Sequence, residues 1–328
     1  MTFLSLGIGH RIRSVASMTE TMRAIVQNEL GGPEVLHEET REVPTPGIGQ
    51  LLVKVSAAGV NPADMMNRQT GIFSGPPPFT LGWDVSGVVS AVGPGVTLFK
   101  AGDEVFGLLP FPRGGGAYAE YVLAPTRAMV RKPPALSFVE AAALPLAGLT
   151  AWQALVETAQ IGLGSRVLIT GAGGGVGHLA VQIAKAKGAY VIAVASAEGA
   201  DIARRFGADE VIDYQTADVA EVVSDLDVFF DVVGGDYPLK ALSTLRRGGV
   251  LVSSLPQSLA AAAALAGEKG VRIAGLFVES DRVGMTDLAD MVASGRLRPL
   301  VATTYPLEDA AQAHRVKSGP GKVVLEIR

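Results

Sequence analysis

From Met22 to about Leu144 the chain runs in short segments where apolar and polar residues alternate, such as Leu51-Leu52-Val53-Lys54-Val55 and Val85 to Val92, between turns rich in Gly and Pro. A period of two turns one face to a core and the other to water. This stretch therefore reads as β-rich, with its first strand at Met22-Arg23-Ala24-Ile25-Val26 and no long helix within it. The texture changes near Pro145. Helical Ala/Leu spacing runs through Thr150 to Thr158, and strand and helix segments then alternate as far as Val278. The strands here are Val167 to Thr170, Val191 to Val194, Val228 to Val233, Val250 to Val252 and Ile273 to Val278; all are continuous apolar runs, as parallel strands covered by helices on both faces require. A helix (Thr286 to Ser294) and a closing strand (Lys322 to Ile327) lie beyond this repeat and are expected to return to the first lobe. The pattern predicts an α/β fold: a β-rich lobe of residues 22–144 and 281–328, and, inserted in it, a doubly wound parallel-sheet lobe of residues 145–280, with a cleft between them.

A length of 328 residues agrees with two domains, and 48% hydrophobic against 18% charged residues gives enough burial to offset chain entropy, which excludes disorder. Net charge is −4 with Lys and Arg scattered, so no basic surface for a nucleic acid is visible, and no apolar run approaches the roughly 20 residues of a membrane span. Residues 1–21 precede the first strand-like segment. Their charges, His10, Arg11 and Arg13, follow the apolar patch instead of preceding it, so they read as a disordered extension without an export signal. Cysteine is absent, which fits a reducing, cytoplasmic setting and removes every thiolate metal ligand and thiol nucleophile.

Strand Val167 to Thr170 runs into Gly171-Ala172-Gly173-Gly174-Gly175-Val176-Gly177 and then a helical stretch, Val176 to Ala186. Ala172, Gly174 and Gly177 fall at the three positions of a G-x-G-x-x-G turn, with Gly175 and Val176 between: the tight turn, the close approach to a pyrophosphate, and the close helix-to-strand packing. Unpaired N–H groups at the helix start hold phosphate oxygens. The tip of the second strand, Ala195-Ser196, lacks the carboxylate that binds the ribose 2′-hydroxyl of NAD. It leaves room for the 2′-phosphate of NADP, with Arg204, Arg205 or Tyr214 as further partners unless the arginines are only a solvated helix face. Glu198 works against this, yet NADPH is expected over NADH.

Ordered segments along nearly the whole chain from Met22 to Arg328 resemble the medium-chain dehydrogenase/reductase superfamily, in its zinc-independent quinone oxidoreductase and enone reductase branch. They are Ala58-Gly59-Val60-Asn61-Pro62-Ala63-Asp64, Gly82-Trp83-Asp84-Val85-Ser86-Gly87-Val88-Val89, Gly102-Asp103-Glu104-Val105-Phe106-Gly107, Gly116-Ala117-Tyr118-Ala119-Glu120-Tyr121, Leu149-Thr150-Ala151-Trp152, the glycine turn, Gly207 to Tyr214 and Gly321-Lys322-Val323-Val324. The resemblance implies a GroES-like catalytic domain around a Rossmann NADP-binding domain. Ala58 stands where zinc-using relatives carry a ligand cysteine, Trp83-Asp84 stands at their His-Glu pair, and the four histidines form no ligand-spaced cluster, so no zinc is expected. Without a Lewis acid a plain carbonyl is a poor hydride acceptor, whereas a quinone or an α,β-unsaturated carbonyl delocalises the charge. The expected activity is a metal-free, NADPH-dependent reduction of such an acceptor. An enoyl-thioester reductase and a weakly catalytic NADPH-binding sensor are the alternatives.

By the same resemblance Asn61 faces the nicotinamide, where the plain reading is an Asn-Pro turn, and Asp64 shapes the site, relays a proton through water, or is a turn carboxylate. Thr150 contacts the nicotinamide or merely lines a helix, and Phe73 stands where many relatives have a tyrosine, leaving the proton donor unnamed. Val233 and Gly234 pass beneath the cofactor, and Ser254, Leu276 and Phe277 sit at later strand ends, where ligands of open α/β sheets collect. Gly199 replaces a lysine common in the family, and Lys322 either reaches the cofactor or lies on the surface. Relatives commonly pair the strand corresponding to Val271 to Val278 across a two-fold axis, so the resemblance implies a homodimer.

Overall fold

The computed structural model describes residues 20–316 and 319–328. The leader reading therefore lies outside the described residues except at its end, where Thr21 already opens the first strand, Thr21–Val26, and pairs with Glu42 of the antiparallel strand His37–Glu42.

Six parallel strands form one sheet in the order Glu210–Asp213, Tyr190–Ala195, Arg166–Ile169, Leu226–Asp231, Leu245–Ser253, Arg272–Gly275. Counted along the chain this is 3-2-1-4-5-6, so the order reverses between Arg166–Ile169 and Leu226–Asp231, and a crevice opens there at the carboxyl ends of the strands. Val167, Leu168, Ile169, Phe229 and Phe230 are fully buried, because helices cover both faces. The second sheet has seven strands: Val301–Pro306, Lys322–Glu326, Gln50–Val60, Asp84–Val92, Glu104–Leu108 and Met129–Arg131 in order, with Tyr121–Pro125 also on Gln50–Val60. The closing strand Lys322–Glu326 is antiparallel to Gln50–Val60, so the chain does return to the first lobe. One continuous cluster of buried apolar side chains joins the lobes, with Trp83 and Val85 on one side and Val167 and Ile169 on the other.

Several elements differ from the sequence expectation. The β-rich lobe contains a nine-residue helix, Pro62–Thr70, opened by a capping box between Asn61 and Asp64 and closed by Gly71 in the left-handed region (φ 65°). The helix expected at Thr150 to Thr158 starts earlier, as Pro145–Trp152, and continues as a π-helical turn over Gln153–Thr158. The last parallel strand stops at Gly275 instead of Val278, and Leu226–Asp231 stops before Val232 and Val233, because polar bonds from Asp231 fold the chain away there. Two strands had no sequence signal: Glu210–Asp213 is a four-residue edge strand, and Val301–Pro306 alternates without any fully buried residue.

Candidate active site at the cleft between the lobes

The glycine turn occupies the crevice at the sheet's reversal. Ala172 is buried, and its N–H donates to Val194 O at 3.0 Å. A Cβ on Gly177 would overlap the Gly171 carbonyl, and one on Gly173 would lie 2.6 Å from Gly199 Cα, so the turn packs backbone on backbone at both positions. At Gly174 the nearest atom to such a Cβ is Gly171 O at 3.2 Å, which leaves the outer side of the turn open. The helix Gly177–Ala186 begins at Val176 with no side-chain cap; His178 N–H donates to Gly174 O and Leu179 N–H to Val176 O, which leaves the N–H groups of Gly175, Val176 and Gly177 for an anion. Those features fit a dinucleotide's pyrophosphate.

His178 fixes the turn from behind, a role the sequence did not signal. Leu300 N–H donates to Nε2 at 2.9 Å, so Nδ1 carries the hydrogen and donates to Gly174 O at 2.8 Å. Burial drives its pKa down to about 4. Gln182 exchanges two bonds with Arg298, and Gly321 N–H donates to Gly173 O, so segment 298–322 is stitched to the turn.

Lys322 carries the site across the cleft. Its stem packs on Gly175, where a Cβ would lie 2.9 Å from Lys322 Cδ, and the side chain is buried, not on the surface. Its Nζ donates to Asn61 Oδ1 and to Val60 O at 3.2 Å, and stands 3.5 Å from Asp84 Oδ2. Asn61 Nδ2 donates to the same Asp84 oxygen at 2.9 Å, while Asp84 Oδ1 accepts Leu146 N–H at 2.6 Å and so holds the start of helix Pro145–Trp152. The Asn61 amide is thereby locked with one Nδ2 hydrogen left over. Asp64 accepts from Asn61 N–H at 2.8 Å and from Gly82 N–H at 3.0 Å, so it is a structural pin between two segments, not a plain turn carboxylate. Complete burial raises its pKa to about 7, against the pull of those two bonds.

Behind Asp64 lies a buried polar row spanning distant parts of the chain. Arg68 Nη1 donates to His314 Nδ1 at 2.9 Å, which leaves the hydrogen on Nε2, facing Tyr118 Oη at 3.1 Å. Burial and the Arg68 guanidinium hold His314 down at about 3, and burial with the nearby Asp64 carboxyl pushes the Tyr118 phenol well up. These shifts predict acid lability. Two histidines with depressed folded pKa values contribute stability that is complete above about pH 6.5 and lost as pH falls, because the unfolded chain takes up their protons first. Asp64, raised to about 7, works in the opposite sense and offsets roughly one of them. Between pH 6.5 and 4.5 a net loss of about 2–3 kcal/mol is expected, at about 1.4 kcal/mol per unit. Urea midpoints at the two pH values check it, and an equal midpoint drop in His314→Gln would sink the assignment to this row.

The remaining candidates divide. Val233 lies against Gly171 and is half exposed, and Gly234 holds φ 78° while donating to Asp231 Oδ1 at 2.9 Å. Asp231 is the organiser here: buried, it also accepts from Thr170, Ser253 and Val233 N–H, and its carbonyl accepts Ser254 N–H, so three strand ends share one carboxylate. Leu276 N–H donates to Ser253 O, and Phe277 turns its ring onto Phe111 of the other lobe, stacked at 5.2 Å. Thr150 donates its hydroxyl hydrogen to Leu146 O at 2.7 Å, as a helix-lining hydroxyl does, and its oxygen keeps its capacity to accept. Ser196 is the N-cap of helix Ala197–Arg205 and accepts from Gly199 N–H, so its oxygen is partly engaged. Tyr214 is half exposed beside the edge strand, and Arg204 pairs with Asp201 in solvent, so the arginines form the solvated face. Ala58 is buried and apolar, Trp83 is buried among aromatic rings, and no group of three or more His, Asp or Glu suited to a metal occurs among the described residues.

A model of the alcohol dehydrogenase GroES-like domain matches residues 47–134, and a model described as zinc-binding dehydrogenase matches residues 206–325. Human quinone oxidoreductase is 34% identical over 331 residues, covering 95% of this chain and 99% of that protein. The chain belongs to the quinone oxidoreductase branch of the medium-chain dehydrogenase/reductase superfamily. Within this branch, 2-haloacrylate reductase from a Burkholderia species is 36% identical over 331 residues, covering 92% of this chain and 98% of its own. Escherichia coli quinone oxidoreductase, solved in complex with NADPH, superposes with a TM-score of 0.84 at 30% identity, covering 93% of this chain and 99% of that one. The protein is thus an oxidoreductase of this branch with a nicotinamide cofactor. Among the described residues no helix is long and apolar enough to cross a membrane.

Proposed function

We propose that the protein is a zinc-independent, NADPH-dependent reductase of quinones or α,β-unsaturated carbonyls, with residues 145–280 as its nucleotide-binding unit. The observation that carries this reading is Lys322, whose stem rests on Gly175 of the glycine turn and whose Nζ holds Asn61. It brings the phosphate-binding turn and a locked amide into one site. Bound NADPH supplies the hydride. The N–H groups at the helix start hold its phosphates, and the spare Nδ2 hydrogen of Asn61 is set to orient a carboxamide or an acceptor oxygen. Ala58 and Trp83 at the zinc-ligand positions support a reaction whose oxyanion is met by hydrogen bonds and not by a metal.

The absence of a carboxylate at Ser196 supports NADPH over NADH, and the relative solved with NADPH agrees with it. Relatives that reduce a 2-haloacrylate extend the acceptor class to activated alkenes. Arg272–Gly275 is an edge strand of the parallel sheet, which suits pairing in a homodimer.

The test mixes protein, NADPH and 9,10-phenanthrenequinone and follows the nicotinamide absorbance. Oxidation is expected with NADPH, at a kcat/KM about tenfold or more above that with NADH, unchanged by a zinc chelator. Tight NADPH binding without oxidation by any quinone or enone would favour the sensor reading, and zinc-dependent turnover of saturated alcohols would overturn the proposal.

A further inference from the structure

Trp83 is 1% exposed, yet its indole Nε1 has no hydrogen-bond partner. An unpaired buried N–H costs about 1–3 kcal/mol, so its retention calls for a physical reason. Two of its neighbours are apolar rings: Phe73 meets the indole edge-on at 5.9 Å and Phe111 at 5.1 Å. On the Nε1 side stands Gly115, where a Cβ would lie 3.4 Å from the nitrogen, so no side chain covers the N–H there. Gly115 lines a cleft of about 480 Å³ together with Phe73, Ser74 and Arg113, and Trp83 is set back from it behind the Gly115 backbone.

The indole is also tied to the site. Asp64 binds Asn61 N–H and Gly82 N–H together, and Asp84, adjacent to Trp83, holds the Asn61 amide. Across the cleft Phe277 is 48% exposed and lies almost parallel to Phe111, with 29° between the ring planes. A flat conjugated molecule in place of the Phe277 ring meets the same aromatic face.

The geometry points to Trp83 Nε1 as the hydrogen-bond donor to the carbonyl oxygen of a planar aromatic acceptor that displaces Phe277 from Phe111. This assignment rests on the reductase reading above. A quinone that takes up hydride, two electrons and one proton, from the reduced cofactor becomes an oxyanion at one carbonyl oxygen. The indole N–H stabilises that oxygen without giving up its hydrogen, and water supplies the second proton to complete the hydroquinone. Because the N–H is already desolvated, it meets the oxyanion with no water to shed.

The experiment uses the full chain saturated with NADP⁺, which cannot reduce a quinone, and measures 1,4-naphthoquinone binding by calorimetry. Turnover with NADPH is measured in parallel. Trp83→Phe keeps the ring and removes the donor; it is expected to weaken naphthoquinone binding about tenfold and to lower kcat more than it raises KM. The Kd for NADPH should not change, and the urea midpoint should fall only modestly, because the cavity left by the smaller ring is offset in part by removal of the unpaired polar group. Gly115→Ala, which narrows the approach to Nε1, should likewise weaken naphthoquinone. Unchanged naphthoquinone affinity and kcat in Trp83→Phe overturn the assignment while leaving the reductase reading in place. Trp83-dependent binding without NADPH oxidation in the wild type leaves the assignment standing and removes the reductase reading, and failure of the wild type to bind naphthoquinone overturns the assignment.

Discussion

Lys322→Met is expected to lower stability by about 3–5 kcal/mol, the usual cost of stranding one member of a buried ion pair. Methionine keeps an apolar stem against Gly175 but removes the Nζ shared by Asn61 Oδ1, Val60 O and Asp84. Asp84, fully buried, would then be left with only neutral donors, Asn61 Nδ2 and Leu146 N–H. Equilibrium urea unfolding measures the loss. The double variant Asp84→Asn with Lys322→Met should recover most of it, since both charges are then absent. NADPH binding should stay weak in both, because Asn61 has lost the partner that fixes its oxygen. A single variant within about 0.5 kcal/mol of wild type would show that the hub is not held by charge.

Gly177→Ala should have the second large effect. Its methyl overlaps the Gly171 carbonyl oxygen and lies 2.6 Å from Ala172 Cα, and both obstacles are backbone, so the helix start must move away from the strand. Overpacking of this kind costs about 1–3 kcal/mol, and here the shift also misdirects the N–H groups that receive phosphate. Isothermal titration should find NADPH binding weakened by roughly 100-fold, about 2.7 kcal/mol. Gly174→Ala provides the contrast: its methyl meets only one oxygen at 3.2 Å inside the protein, so stability should change little while the pyrophosphate is obstructed. Equal destabilisation by the two variants would contradict this division of roles.

What the sequence revealed follows the range over which each signal acts. Continuous apolar runs marked five of the six parallel strands, because burial on both faces needs nothing beyond local composition; the missed strand, Glu210–Asp213, is a short edge with no fully buried residue. The glycine turn was legible from its local strand–turn–helix setting and from Gly177, which packs on Gly171 and Ala172, although Gly173 and Gly175 answer to the distant Gly199 and Lys322. The polar hub was not: Asn61 and Lys322 are separated by 261 positions, Arg68 and His314 by 246, and Tyr118 and His314 by 196. His314 had no ligand-spaced neighbour and so drew no functional reading. At Thr150 helical spacing marked the start of a helix that in fact begins at Pro145, and nothing local pointed to the Leu146 carbonyl that accepts its hydroxyl. Asp84 was visible only as a departure from the His-Glu pair, although it binds three separate segments.

The stitching of segment 298–322 to the glycine turn constrains how the two lobes move. His178 to Leu300, Gln182 to Arg298 and Gly173 to Gly321 are directional bonds that separation would break together. Where Phe277 stacks on Phe111, the lobes are joined by ring contact and by one bond, from Ser280 Oγ to Leu108 O at 2.6 Å. On the reductase reading, the cleft is expected to behave as a book bound by several bonds along its carboxyl-terminal spine and closed by one clasp at the aromatic rings, so that an acceptor enters where the fewest bonds must part.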